Sequence, residues 1–127
     1  MIAYLLVAAG GALGAMGRHF CSEVIDSRFP SFPAGTLFVN VAGSFLIGAI
    51  TAYIVSRGGM QNWRLFLVTG ALGGFTTFSS FSLATVKLIQ NGLYLSAAVN
   101  VTASVALCLL MTGLGFYLVS GFFGIVR

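Results

Sequence analysis

Charge is what this sequence has least of. Eight of its 127 residues are charged (Arg18, Glu23, Asp26, Arg28, Arg57, Arg64, Lys87 and Arg127), whereas a soluble domain commonly devotes roughly 25% of its residues to charge. Soluble enzymes and nucleic-acid-binding domains are excluded on that ground, and the net charge of +4 implies no nucleic-acid partner. The two carboxylates, Glu23 and Asp26, sit together near the first connection, where they read as solvated interfacial charge. None falls in an apolar stretch, which argues against proton-coupled antiporters and cation pumps, whose mechanism places a carboxylate in the membrane. There is no nucleotide-binding motif either, so any transport is expected to be passive. Cysteine is equally scarce: Cys21 and Cys108 are far apart, fit no metal-ligand or redox spacing, and read as small buried hydrophobes. No positively charged region precedes the first apolar residues, so no signal peptide is expected.

What remains is long uncharged sequence. Runs of 17, 28, 22 and 39 residues separate the charges, at 1–17, 29–56, 65–86 and 88–126. A helix crosses the hydrocarbon core in about 20 residues, so each run supplies one crossing, the first by borrowing a few residues past Arg18. The expected fold is an all-α integral membrane protein, a single domain of four helices at about 2–21, 33–56, 63–89 and 94–123. Pro30 and Pro33 punctuate the first connection, Gly58-Gly59 the second and Gln90 to Gly92 the third. With four crossings, Arg57, Arg64 and Arg127 lie on the side of both termini, and Arg18, Arg28 and Lys87 on the other. Three against three sets no orientation under the positive-inside rule. The balance suggests dual topology and an antiparallel homodimer, unless finer features than this count decide insertion. The pairs Gly10/Gly14, Gly11/Ala15 and Ser44/Gly48 have the small-xxx-small spacing of close helix packing.

Polar groups inside hydrocarbon are costly without partners or water, so their placement is where function is read. Thr36, Asn40, Ser44 and Gly48 recur every four residues in the second helix, and Asn100, Ser104, Cys108 and Thr112 do the same in the fourth. Asn40 suits a helix-to-helix hydrogen bond as well as a wet surface; the second series suits a polar track as well as local hydroxyl-to-backbone bonds. The third helix is the most informative. Gly70 to Ser82 holds three glycines followed by five hydroxyl residues threaded with aromatics, a poor helix former. A break in mid-membrane is expected, buried in protein or lining a cavity, with freed carbonyls able to hold a cation. Phe78 and Phe81, at i and i+3, share a face if helix resumes there. They are either core or lipid-facing rings, or rings whose positive edges touch an anion.

The run Gly73-Gly74-Phe75-Thr76-Thr77-Phe78-Ser79-Ser80-Phe81-Ser82, with Gly35 to Phe45 and Gly14-Ala15-Met16-Gly17-Arg18, closely resembles the Fluc (CrcB) fluoride channels of microbes, and the likeness covers essentially the whole chain. It implies a passive fluoride channel, not an enzyme, working as an antiparallel dual-topology dimer with two pores in a bacterial inner membrane. Fluoride enters a cell as the neutral acid and dissociates in the less acidic cytoplasm; the channel would export it. The resemblance makes Phe78 and Phe81 pore rings, Asn40 a pore donor, and Arg18 the vestibule cation, although Arg18 also suits simple snorkelling at the interface. The carbonyls of Gly73 and Thr76 from both subunits would hold a structural Na+ at the dimer centre. Ser104, Cys108 and Thr112 would form the polar track. Thr77 and Ser80 are further candidate donors, because a selective path must replace tightly held water with many donors yet release the ion.

Three positions depart from the family pattern: Asn100 where many members carry Tyr, Ala84 where many carry an acid, and Cys108 where a hydroxyl is often met. Two other readings stand beside this one. A small multidrug-type transporter shares the size and topology but needs a membrane carboxylate. A structural subunit without transport would leave the hydroxyl and phenylalanine cluster as an unexplained cost.

Overall fold

The computed structural model describes residues 1–124, and these are helical apart from short connections. The elements are α1 (Ile2–Asp26), α2 (Ala34–Arg57), α3 (Gln61–Trp63), a π-helical stretch (Arg64–Leu72), α4 (Gly73–Phe75), α5 (Phe78–Gln90) and α6 (Tyr94–Phe123). The pieces from α3 to α5 form one interrupted rod. Arg127, which entered the charge count, lies outside the described residues.

The distribution of side chains is that of a protein solvated by lipid. The buried apolar set is small, comprising Val39, Ala52, Leu72, Phe81, Leu88 and Ala97, and it is accompanied by buried Thr77, Asn100, Ser104 and Ser120. Large apolar residues instead cover the outside, including Tyr4, Leu95, Leu109 and Phe122. An exposed apolar surface of this extent is untenable in water and natural in hydrocarbon. Three stretches are long and apolar enough to cross a membrane: Ala34–Arg57, Gln61–Gln90 and Tyr94–Phe123. The chain is a multi-pass integral membrane protein. Helix α1, at 25 residues, is long enough but less apolar, because Arg18, His19, Glu23 and Asp26 all fall in its last nine positions.

Glycine sets the packing. Without a hydrophobic drive between helices in lipid, close backbone approach has to supply contact. A Cβ on Gly10 would overlap the Phe66 carbonyl, one on Gly14 the Ala71 carbonyl, and one on Gly74 would come within 3.1 Å of the Gly11 Cα. These glycines let α1 lie against the π-helical stretch and α4. The second close pairing joins α2 to α6: a Cβ on Gly48 would overlap the Thr112 carbonyl, and one on Gly115 the Phe45 carbonyl.

Helix α1 runs five residues beyond the end expected near residue 21, because nothing between Ser22 and Asp26 breaks it and the first proline is Pro30. The extension gives Asp26 a structural task. Its Oδ1 accepts the Gly35 N–H at 2.8 Å, satisfying an orphan donor in the first turn of α2, whose N-cap Pro33 offers no side-chain acceptor. The solvated interfacial charge expected at Asp26 is therefore a helix cap. Glu23 does match that expectation, lying exposed 3.7 Å from His19.

Candidate functional site

The site is built on the interruption between α4 and α5. Thr76 (φ −80°, ψ 155°) and Thr77 (φ −153°, ψ 120°) are both extended, so the helical hydrogen-bond ladder cannot pass through them. Helix α2 supplies the replacement. Asn40 Nδ2 donates to the Thr77 carbonyl at 3.0 Å, and Asn40 Oδ1 accepts the Thr77 N–H at 2.7 Å. A primary amide presents the same donor and acceptor pair as a backbone peptide, so one side chain satisfies both groups of the residue that left the helix. Gly43, one turn on, makes room: a Cβ there would overlap the Thr76 methyl and approach the Phe75 ring at 3.3 Å. On the far side, Thr77 Oγ1 accepts the Ser80 N–H at 3.2 Å and caps α5.

These same bonds release carbonyls. In a continuous helix the Gly73 carbonyl would accept from Thr77 N–H and the Thr76 carbonyl from Ser80 N–H. The first donor is taken by Asn40 and the second by Thr77 Oγ1. The carbonyls of Gly73 and Thr76 thus lose the donors that a continuous helix would give them. Among the described residues no cluster of His, Cys, Asp or Glu offers a metal site.

A groove of about 410 Å³ opens beside the interruption. It is lined by Asn40, Ser44, Thr76, Thr77, Phe78, Phe81, Ser104 and Cys108, with Ile47, Val105 and Leu109 as apolar walls. Six residues singled out in the sequence as pore candidates meet here: Asn40, Thr77, Phe78, Phe81, Ser104 and Cys108. The rings of Phe78 and Phe81 lie 5.2 Å apart at 50°; Phe81 is buried, while Phe78 is 78% exposed. Among the described residues, buried Ser104 has no hydrogen-bond partner for its hydroxyl.

The other candidates lie elsewhere. Ser80 is exposed and engaged with Thr77, its Oγ 3.2 Å from Thr77 Oγ1. Thr112 falls at the α2 crossing, where its carbonyl faces Gly48, and not in the groove. The four-residue spacing explains this: each step advances about 400°, so a stripe drifts about 40° per step and Asn100 and Thr112 end up about 120° apart. Arg18 follows Gly17, whose position faces the Phe75 ring at 3.6 Å, and does not line the groove. Asn100 is buried and donates at 2.9 Å to Thr85 Oγ1, which donates at 2.8 Å to the Phe81 carbonyl. Thr85 carries no sequence signal of this role, since an isolated helical threonine is ordinarily bonded to its own backbone.

Asn40 has used its carbonyl on Thr77 and keeps one N–H, the Ser104 hydroxyl has no partner among the described residues, and no carboxylate lines the groove. Donors and ring edges suit an anion. A multi-pass helical membrane protein with a donor-lined, phenyl-flanked groove at an interrupted helix is the class that fold and site define. The family model for CrcB-like protein, Camphor Resistance (CrcB), matches residues 5–116, and the chain belongs to that family. It is similar to the fluoride-specific ion channel FluC of Granulibacter bethesdensis, 49% identical over 109 residues covering 84% of this chain and 86% of that protein. It is also similar to those of Methylobacterium nodulans (48% over 107 residues, 84% and 86% covered) and Rhizobium meliloti (46% over 116 residues, 90% and 93% covered).

Proposed function

We propose that this chain is a fluoride-selective channel, not an enzyme, that passes the ion down its gradient through the groove beside the Thr76-Thr77 interruption. The observation that carries the reading is the groove's polar inventory. Hydrogen-bond donors, with no carboxylate among them, stand beside paired phenyl rings, in a chain whose relatives bear the name of fluoride channels. Asn40 and Ser104 replace part of the ion's hydration, and the edges of Phe78 and Phe81 extend contact where donors are sparse. Because the groove offers partial charges and no fixed cation, the ion is held loosely enough to leave. With no carboxylate in the spans to couple a proton, transport is passive and runs outward whenever fluoride has accumulated in the cytoplasm. The setting is the bacterial inner membrane.

The working unit is an antiparallel, dual-topology homodimer of four-crossing subunits with two pores, the interruption lying in mid-membrane. Phe78, 78% exposed at the mouth of the groove, leaves a free ring face that a second copy can cover. The carbonyls of Gly73 and Thr76 from two copies would together hold Na+, which supplies positive charge that locks the two interrupted rods to each other. Arg18 enriches anions near the mouth, and Thr77 and Cys108 add to the polar lining of the groove.

The test is efflux from fluoride-loaded liposomes followed with a fluoride electrode. Phe81→Ile keeps bulk at a buried position and removes the ring edge, so flux is expected to fall at least tenfold with assembly unchanged. Wild-type flux in that variant would remove the ring-edge contact from the mechanism.

A further inference from the structure

A second concavity lies away from the Phe78 groove, where the C-terminal ends of α2 and α6 meet the start of the interrupted rod. It has a volume of about 630 Å³, and its lining includes Ile54, Leu67, Val119, Tyr53, Trp63 and Phe123, with no charged residue. The volume suits an acyl chain. At one end Tyr53 and Phe123 pack edge-to-face, 5.7 Å between centroids, and the Arg57 guanidinium stands 5.5 Å from each of those rings. Held near two rings by cation–π attraction, the exposed guanidinium stays at this end of the groove with N–H groups available to an anion.

Among the described residues no acidic side chain is paired with Arg57. The only acidic side chains are Glu23 and Asp26, and Asp26 is bonded to Gly35 at the opposite end of α2. From Gly35 to Arg57 is 22 helical rises, about 33 Å. Arg57 and Arg64 bracket the 58–63 connection with no acid between them. An apolar groove closed by an anchored cation, with Tyr and Trp at the rim, combines acyl-chain and phosphate recognition in one place.

We propose that this groove is a binding site for an anionic glycerophospholipid, one acyl chain lying along Ile54, Leu67 and Val119 and the headgroup phosphate held by Arg57. The site stands apart from the ion path and does not depend on what that path conducts.

Trp63 is the single tryptophan of the chain and lines the groove, so its fluorescence reports the occupant. The full-length protein is reconstituted in phosphatidylcholine bilayers, and bromine-labelled acyl chains are introduced on either phosphatidylglycerol or phosphatidylcholine. Brominated phosphatidylglycerol is expected to reach half-maximal quenching at about fivefold lower mole fraction than brominated phosphatidylcholine, the scale of one basic residue acting on an anionic lipid. Arg57→Gln is expected to erase that difference and leave the phosphatidylcholine curve in place. Raising salt narrows the difference in the wild-type protein, which keeps the test available should the variant fail to insert. Equal quenching by both lipids in the wild type would reduce the groove to ordinary lipid contact and overturn the proposal. Absence of quenching by either would overturn it too, by assigning the groove to a second copy of the chain.

Discussion

Replacing Asn40 by Leu keeps side-chain volume while deleting both bonds to Thr77. The Thr77 N–H and carbonyl, held at 2.7 and 3.0 Å by a side chain that reaches across from α2, are then left without partners on a residue only 8% exposed. Each stranded buried group costs about 1–3 kcal/mol, so the variant is expected to lose about 2–6 kcal/mol. Asn40→Asp separates the two bonds. The carboxylate still accepts the Thr77 N–H but cannot donate to the carbonyl, so stability should fall between the other two. Its negative charge faces the groove, and anion flux should vanish. The assay pairs the monodisperse fraction surviving a heat series with fluoride efflux from liposomes. A Leu variant as heat-resistant as the wild type would refute the assignment of Asn40 as the clamp on the interruption.

Gly43→Val places bulk where the Thr76 methyl and Phe75 ring already sit, and is expected to cost about 1–3 kcal/mol through overpacking and to shift the interruption, read as early aggregation on heating. Ser104→Ala removes a buried hydroxyl that has no partner among the described residues, so stability should hold or rise slightly while efflux falls; a loss of both together would assign Ser104 a structural bond instead. Asn100→Val and Thr85→Val each cut the chain of hydrogen bonds that ends on the Phe81 carbonyl. In combination they should cost less than the sum of the singles, since either break releases the same contact, and a double-mutant cycle on heat resistance measures this.

The general location of the interruption is legible in the sequence because glycines followed by hydroxyl residues give up helix cheaply, and the connections at Gly58-Gly59 and Gly92 are legible because those residues adopt positive φ. The element that holds the interruption open is not. Asn40 is 37 residues from Thr77, and its spacing with Thr36, Ser44 and Gly48 describes a stripe that drifts: Asn40 and Ser44 reach the groove while Gly48 turns to α6. The same drift divides Asn100, Ser104, Cys108 and Thr112 among three environments. The π-helical stretch Arg64–Leu72 leaves no local signature either, because residues 64–69 contain neither glycine nor proline. Asp26 looked like solvated charge because its acceptor role requires knowing that Gly35 returns beside it.

In the proposed path, hydrogen-bond donors beside phenyl edges, with no carboxylate among them, carry fluoride. The most direct measurement loads liposomes containing the purified protein with equal concentrations of fluoride and chloride and follows both ions outward with ion-selective electrodes, valinomycin carrying the counter-charge as potassium. Rapid fluoride efflux is expected, with chloride retained at the level of protein-free vesicles. Matching efflux of the two halides, or none of either, would contradict it.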